Sequence, residues 1–384
     1  MLRKLLATLT AVSTIYSASA QDIARQGNAS VPDSGALSAA KNNPVPEEPK
    51  APAEEEKKPA FSFSGSADVY YRYDLARQVM NNKTSFTSSH NSFELGMASV
   101  KLEHNAGKVS AVVDLGFGKR AEDFSYNDEK SRFALKQLYL SYSPLKNLKL
   151  TAGSWATHIG YELVDAYANR NYSMSYMFSY GPFFHTGIKA EASFGKNSFM
   201  LGIANPTDLK TTQLEHKYVI AQFATASAND QVKLYLNYMS GKPDADTRQA
   251  QYDAVVTGTV SEKFSIGVNG TMASYKLRET DGKFGSAQQW YGGALYLNLD
   301  PRPWLGITFR NEYFNDEKQL NVFSAASKGG NVFASTLSFN FRINNLTIIP
   351  ECRFESASQP IYSKANGDAT KTAGNFLVAA VYAF

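Results

Sequence analysis

The last segment of the chain, residues 372–384, carries an apolar side chain at every second position. The residues on this apolar face are Phe376, Val378, Ala380, Tyr382 and Phe384. Side chains of a β-strand point alternately to two sides, so this spacing predicts a strand. Such a strand needs a partner on each edge, which the wall of a closed barrel or the core of a soluble sandwich can supply.

The same alternation recurs along most of the chain. Sixteen segments show it, at residues 64–76, 91–104, 108–120, 132–143, 147–157, 183–194, 196–205, 215–227, 230–241, 247–260, 263–277, 287–300, 303–315, 330–343, 346–357 and 372–384. Short turns alternate with long polar loops between them. Lipid offers no hydrogen-bond partner to an open strand edge. The sequence therefore predicts an all-β fold, a 16-stranded antiparallel transmembrane β-barrel with short periplasmic turns and long external loops.

The second face of several predicted strands is polar. Its candidate lumen-lining residues are Lys233, Arg310, Glu312, Glu351, Arg353 and Glu355. An unpaired charge in a dry interior costs on the order of several kcal/mol, so we expect a water-filled lumen, for which sixteen strands give enough width. A soluble sandwich would also have polar positions, but it would not require short and long connections to alternate. Pro350 has no N–H to donate and predicts a bulge or a displaced strand boundary.

Composition supports alternating strands and excludes several classes of function. The chain has 22 Tyr and 24 Phe, yet its mean hydropathy is −0.33, as expected for a wall that is apolar only at every second residue. Without Arg3 and Lys4, its 39 basic residues become 37 against 35 acidic ones, which gives no argument for a nucleic-acid partner. A single cysteine, Cys352, excludes an intrachain disulfide framework and any multi-cysteine metal site. We expect no cofactor and no metal.

The first sixty residues differ from the rest. Residues 1–20 combine Arg3 and Lys4, an apolar run and a small-residue site at 18–20, and they predict a cleaved secretory signal peptide. Residues 21–60 are rich in Pro, Glu and Lys without apolar periodicity, so we expect a disordered periplasmic leader. The barrel then occupies residues 61–384.

The longest connection, residues 158–182, is the candidate functional segment. It mixes both signs of charge with aromatic side chains, and its candidate pore-constriction residues are Tyr161, Glu162, Asp165, Arg170, Tyr172 and Tyr176. Opposed charges across a narrow channel would orient dipolar solutes. The alternative is a solvated lid over the barrel mouth.

Three patches carry a resemblance to a known family, namely residues 65–74 (GSADVYYRYD), 157–162 (THIGYE) and 180–187 (YGPFFHTG). Together they resemble the OmpL-like β-barrel porins of bacterial outer membranes. The terminal Phe384 also resembles the sorting signal that the barrel-assembly machinery reads during biogenesis. The layout is similar to that of general porins, in which the third external loop folds into the lumen.

The resemblance implies a barrel in the outer-membrane lipid, with passive diffusion of small hydrophilic solutes, and it suggests a homotrimer. Two other functions stay open. One is an outer-membrane hydrolase at the external rim, where His90, His158, His185 and His216 fall, although the sequence has no Gly-x-Ser-x-Gly elbow. The other is a non-conducting barrel that binds partners through its long loops.

Overall fold

The computed structural model describes residues 60–129, 132 and 134–384. The predicted signal peptide and nearly all of the predicted leader lie outside this part. The sixteen barrel strands are β1 (Ala60–Asp74), β2 (Ser92–Ala106), β3 (Val109–Phe117), β4 (Leu135–Leu145), β5 (Leu148–Ala156), β6 (Phe184–Phe194), β7 (Asn197–Ala204), β8 (Tyr218–Ala226), β9 (Val232–Gly241), β10 (Thr247–Ser261), β11 (Phe264–Leu277), β12 (Gln288–Arg302), β13 (Leu305–Asp316), β14 (Gly330–Ile343), β15 (Leu346–Ala357) and β18 (Thr372–Ala383). Two strands of two residues, β16 (Tyr362–Ser363) and β17 (Ala369–Thr370), form a separate hairpin in the last loop.

Each barrel strand pairs antiparallel with its neighbours in the sequence order, and β1 pairs with β18 to close the ring. The C-terminal residue completes this closure, because the N–H of Phe384 donates to the carbonyl of Gly65 at 2.9 Å and the reverse bond measures 3.0 Å. The ring of Phe384 also lies 5.6 Å from that of Phe63, centroid to centroid. The predicted 16-stranded antiparallel barrel is confirmed.

Alternation divides the two faces of the wall as the sequence predicts. Large apolar side chains remain exposed on the outside, among them Phe93, Ile188, Leu201, Phe333, Phe354 and Phe376. Polar and charged residues of the same strands point inward, and most of them are buried. The outer face is thus apolar enough to contact lipid. Most of the inward side chains, in contrast, are covered by protein and not by open water.

Several local features differ from the prediction. The first strand begins at Ala60, four residues before the predicted start at residue 64. The bulge expected at Pro350 is absent, because β15 keeps one register with β14 on both sides of it and pairs Pro350 with Val378 of β18. The loops contain short helices at Lys119–Phe124 and Tyr176–Ser179 and 3₁₀ turns at Val79–Asn81 and Ala166–Ala168. All helices within the described residues are too short or too polar to reach across a bilayer.

Candidate functional site inside the barrel

The interior is occupied by loop L3, which we define as residues 157–183, between β5 and β6. Its first residues turn toward the inner wall. The N–H of Gly160 donates to Asp253 on β10 at 3.0 Å, and the Tyr161 ring stacks on Tyr296 of β12 with 4.1 Å between centroids. Tyr161 fits there because β11 presents Gly267, where a Cβ would lie 2.7 Å from the tyrosine ring. L3 therefore enters the barrel.

The middle of L3 reaches the opposite end of the barrel. Arg170 makes a bidentate pair with Asp300, with Nη1 to Oδ2 at 2.9 Å and Nη2 to Oδ1 at 2.8 Å. Its Nε also donates to Thr308 at 2.9 Å. Asp300 lies near the end of β12, beside the short turn to β13. Because L3 starts at the long-loop end, it spans most of the height of the barrel.

A buried charge cluster holds the returning half of L3 against β13 and β15. Arg310 contacts Glu162 of L3 at 2.6 Å and donates to the carbonyl of Ser173 at 2.7 Å. Arg353 contacts Glu312 at 3.0 Å and Glu355 at 2.9 Å. These five charged side chains are between 0% and 6% exposed. Charges this deeply buried are tolerated only when they are paired and hydrogen-bonded.

Wall carboxylates also satisfy the backbone of L3, which has little regular structure of its own. Glu351 accepts from the N–H groups of Tyr172 and Ser173 at 2.8 and 3.1 Å. Glu312 accepts from the N–H of Tyr176 at 2.7 Å. Buried N–H groups need acceptors, and a charged acceptor makes the stronger bond. The acidic residues of β13 and β15 thus replace the hydrogen bonds that a helix or sheet would supply.

Two tyrosines of L3 donate to wall carboxylates. The Tyr172 hydroxyl donates to Asp68 of β1 at 2.5 Å, and the Tyr176 hydroxyl donates to Glu355 at 2.8 Å. Burial raises the pKa of both tyrosines well above the usual value, so both hydroxyls stay protonated and remain donors. Arg120, from the loop after β3, stacks over the Tyr172 ring at 4.6 Å and donates to its carbonyl.

The six candidate constriction residues all lie in L3, and they contact different strands of the wall. Tyr161 packs on β11 and β12, and Arg170 reaches Asp300, while Asp165 pairs with Lys136 of β4 at 2.5 Å. Glu162, Tyr172 and Tyr176 form the bonds described above. Of the candidate lumen-lining residues, Arg310, Glu312, Glu351, Arg353 and Glu355 face inward but contact L3 in place of the expected open water. Lys233 faces inward on β9 and is partly exposed.

Sequence reasoning missed the wall partners Asp68, Lys136, Asp253 and Asp300. Each is a charged residue inside a predominantly alternating strand, so its inward direction could be inferred from the strand pattern. The L3 residue that pairs with each of them could not be inferred, because ion pairs across the lumen join residues that are far apart in the chain.

Of the four histidines near the external rim, His185 lacks one contact that a Ser-His-Asp triad requires. His185 Nε2 lies 3.1 Å from the hydroxyl of Thr157, but its Nδ1 has no hydrogen-bond partner, whereas a triad needs an acceptor there. Burial lowers the pKa of His158 to about 4, and His90 accepts from the N–H of Asp74 at 3.1 Å. Within the described residues, no cluster of three or more His, Cys, Asp or Glu side chains could hold a metal ion.

The end of L3 is anchored by Asp208, which lies in the loop between β7 and β8. Its Oδ1 accepts from the N–H groups of Phe183 and Phe184 at 2.7 and 3.0 Å, and its Oδ2 accepts from the Tyr126 hydroxyl at 3.0 Å. Burial raises the pKa of Asp208 from 3.8 to about 6. The folded protein therefore binds this proton more tightly than the unfolded chain does.

We expect the free energy of unfolding to fall as pH rises from about 4 to about 6, and to level off above the folded pKa. A rise in the pKa of Asp208 from 3.8 to about 6 corresponds to a change of about 3 kcal/mol in the free energy of unfolding across this pH range. Urea unfolding in lipid vesicles across this pH range measures the effect, and Asp208→Asn is the control because it keeps an acceptor oxygen and cannot titrate. If the free energy of unfolding depended on pH in the same way for the wild type and for Asp208→Asn, the pH dependence could not be assigned to Asp208.

A family model described as "Putative beta-barrel porin-2, OmpL-like" matches residues 60–384. A search of curated proteins finds no match. Solved structures with a similar fold include the outer membrane channel DcaP of Acinetobacter baumannii, at a TM-score of 0.59 and 12% identity over 85% of this chain and 97% of that chain. The outer membrane protein OmpT of Vibrio cholerae has a TM-score of 0.59 and 11% identity over 87% of this chain and 100% of that chain.

The anion-selective porin from Comamonas acidovorans is similar at a TM-score of 0.55 and 9% identity, over 85% of this chain and 100% of that chain. OmpT has also been solved in a trimer form, with a TM-score of 0.56 and 10% identity over 85% of this chain and 99% of that chain. Identities this low establish a shared fold and nothing further. The family model, in contrast, spans the whole barrel. The chain therefore belongs to the OmpL-like family of putative beta-barrel porins.

Proposed function

We propose that this protein lets small hydrophilic solutes diffuse passively across the bacterial outer membrane, and that L3 narrows the channel. Its family and its fold are those of outer-membrane porins. The observation that carries the proposal is the Arg170–Asp300 pair, because a loop that reaches the far end of the barrel limits the free cross-section over most of its height. Water-filled channels take their selectivity from such constrictions.

The test is conductance. Purified protein inserted into planar lipid bilayers should give stepwise current increases, since each barrel opens one aqueous path. The same preparation after heat unfolding serves as the control for detergent leaks. A folded, inserted barrel that never conducts would reject passive diffusion.

One observation favours a second function, a non-conducting barrel that binds partners through its external loops. The inward residues of β13, β14 and β15 are nearly all buried, as the exposures of Arg310, Thr336 and Arg353 (0 to 2%) show. A lumen closed in this way would carry no current. Bilayer recordings separate the two functions, because a binding barrel with L3 in place stays silent, whereas a porin conducts.

We also propose the route of delivery and the assembly. Residues 1–20 act as a signal peptide for export, residues 21–60 form a periplasmic leader, and the strand ending in Phe384 is read by the barrel-assembly machinery. Three copies associate in the outer-membrane lipid, which the trimer form of OmpT supports at the level of the fold. Mass spectrometry of the mature N-terminus and native mass spectrometry of the detergent complex test these points.

A further inference from the structure

The strands β5 to β9 carry few charged residues, and those they carry share one face. Their lysines are Lys149, Lys189 and Lys233, and their one carboxylate is Glu191. Each lies on the inward face, between outward apolar neighbours such as Leu150 and Ile188, and each is partly exposed. Apart from the histidine at the start of β6, this wall therefore has a formal charge of +2, from three cations and one anion.

The geometry keeps these charges close together on the wall. Lys149 lies opposite Glu191 in the register of β5 and β6. Lys189 contacts Glu191 at 3.3 Å and lies 5.1 Å from the centroid of the Trp155 ring. One carboxylate thus faces two lysines, and Lys233 adds a third cation near the short-turn end of β9.

Most of L3 is bonded to other parts of the wall. Its ion pairs and hydrogen bonds reach β1, β4, β10 and the strands from β12 to β15, through residues such as Asp68, Lys136, Asp253 and Arg310. Its hydrogen bonds with β6 and β9 come from its first two residues, Thr157 and His158, which lie at the long-loop end. Away from the short-turn end, the inward charges on the strands from β12 to β15 and on β1, β4 and β10 are buried, and L3 supplies much of their hydrogen bonding. The partly exposed charges of β5, β6 and β9 are therefore in better contact with the remaining water.

The short-turn end of the lumen also carries an excess of positive charge. Asp300 is shared between Arg170, at 2.8 Å, and Arg342, at 2.7 Å. Two cations thus surround one carboxylate, and all three side chains are partly exposed. An excess of positive charge between low-dielectric walls attracts anions and repels cations.

We propose that the channel prefers small anions, such as carboxylates and inorganic phosphate, and that Lys149, Lys189 and Lys233 set this preference. This inference rests on the proposed porin function. It assigns the selectivity to the part of the wall to which L3 hydrogen-bonds through Thr157 and His158, and it gives no role to the buried ion pairs beneath the rest of L3.

The experiment measures reversal potential in a KCl gradient at low ionic strength, where charges are least screened. Wild-type protein should favour chloride over potassium. The variant with Lys149, Lys189 and Lys233 each changed to Gln should lose that preference by about threefold or more, the order expected for three charges near a narrow water path. A matched variant changes the exposed external residues Lys276, Lys283 and Lys328 to Gln and should keep it.

The outcomes distinguish the two proposals. A channel that conducts but prefers potassium would overturn the anion preference and leave the porin function standing. The same holds if the lysine variant and its matched control behave alike. Absence of any current would overturn both. Folding is checked by heat-modifiable electrophoretic mobility, and the single variants Lys149→Gln and Lys189→Gln replace the triple variant if it fails to fold. Bi-ionic potentials with acetate and with phosphate then test the solute class.

Discussion

Replacing Arg310 with Ala should destabilise the protein by about 3–5 kcal/mol, the usual effect of removing one partner from a buried ion pair. The guanidinium is fully buried and bridges Glu162 of L3 to Glu312 of the wall, at 2.6 and 3.5 Å. It also donates to the carbonyls of Ser173 and Met174. Its removal leaves two carboxylates and two carbonyls without this partner. Urea unfolding in lipid vesicles, followed by tryptophan fluorescence, measures the loss.

Two variants make that result specific. Arg278→Ala removes an arginine that is 38% exposed and whose partner Asp246 is 74% exposed, so we expect a change below about 1 kcal/mol. The double variant Arg310→Met with Glu162→Gln removes both charges of the pair and should recover part of the stability, because no carboxylate of L3 is then left unpaired. A loss below about 1 kcal/mol for Arg310→Ala would show that water reaches the cluster.

The barrel could be predicted from the sequence because its signal is local. In a strand, the direction of each side chain depends only on whether its position is odd or even, so the alternation around Leu305, Ile307 and Phe309 identifies β13 without knowledge of its neighbours. Closure followed from the need to pair every strand edge in lipid. Family and fold confirm the architecture.

The interior of the barrel could not be predicted in the same way. The sequence marks Arg310 and Glu162 as charged, but 148 positions separate them in the chain. Nothing in strand periodicity indicates that one neutralises the other. We expected water around the inward charges because unpaired ions need hydration, whereas the structure pairs them with L3, which satisfies the same physical requirement by other means.

Glycines on the inner wall are a signal that sequence analysis could have used. At Gly267 and Gly292, an added Cβ would lie within 3 Å of Tyr161 and Met177, respectively. An inward glycine in a spanning strand leaves room for another group to approach closely. Such positions on β11 and β12 indicate where L3 packs, although they do not reveal which residue of L3 comes to fill them.

Deleting residues 163–180 and joining the ends with a short Gly-Ser linker should raise single-channel conductance by about threefold or more, because a barrel of sixteen strands holds an open aqueous channel once nothing fills it. We expect the variant to fold. The ladder of strand pairs is independent of L3, and the wall charges retain one another, since Arg353 lies 3.0 Å from Glu312 and 2.9 Å from Glu355. Water then hydrates the inward charges of the wall that L3 had covered.

This deletion differs from Arg310→Ala in a way that identifies the role of L3. The substitution removes a cation while buried carboxylates stay in place, so it acts mainly on stability; the deletion removes the cover itself, so it acts mainly on current. Shortening residues 211–216, an exposed part of the loop between β7 and β8, is the control and should leave conductance unchanged. Equal conductance with and without residues 163–180 would mean that L3 does not limit the path, and a barrel that is silent with L3 and conducts only after the deletion would favour the binding function.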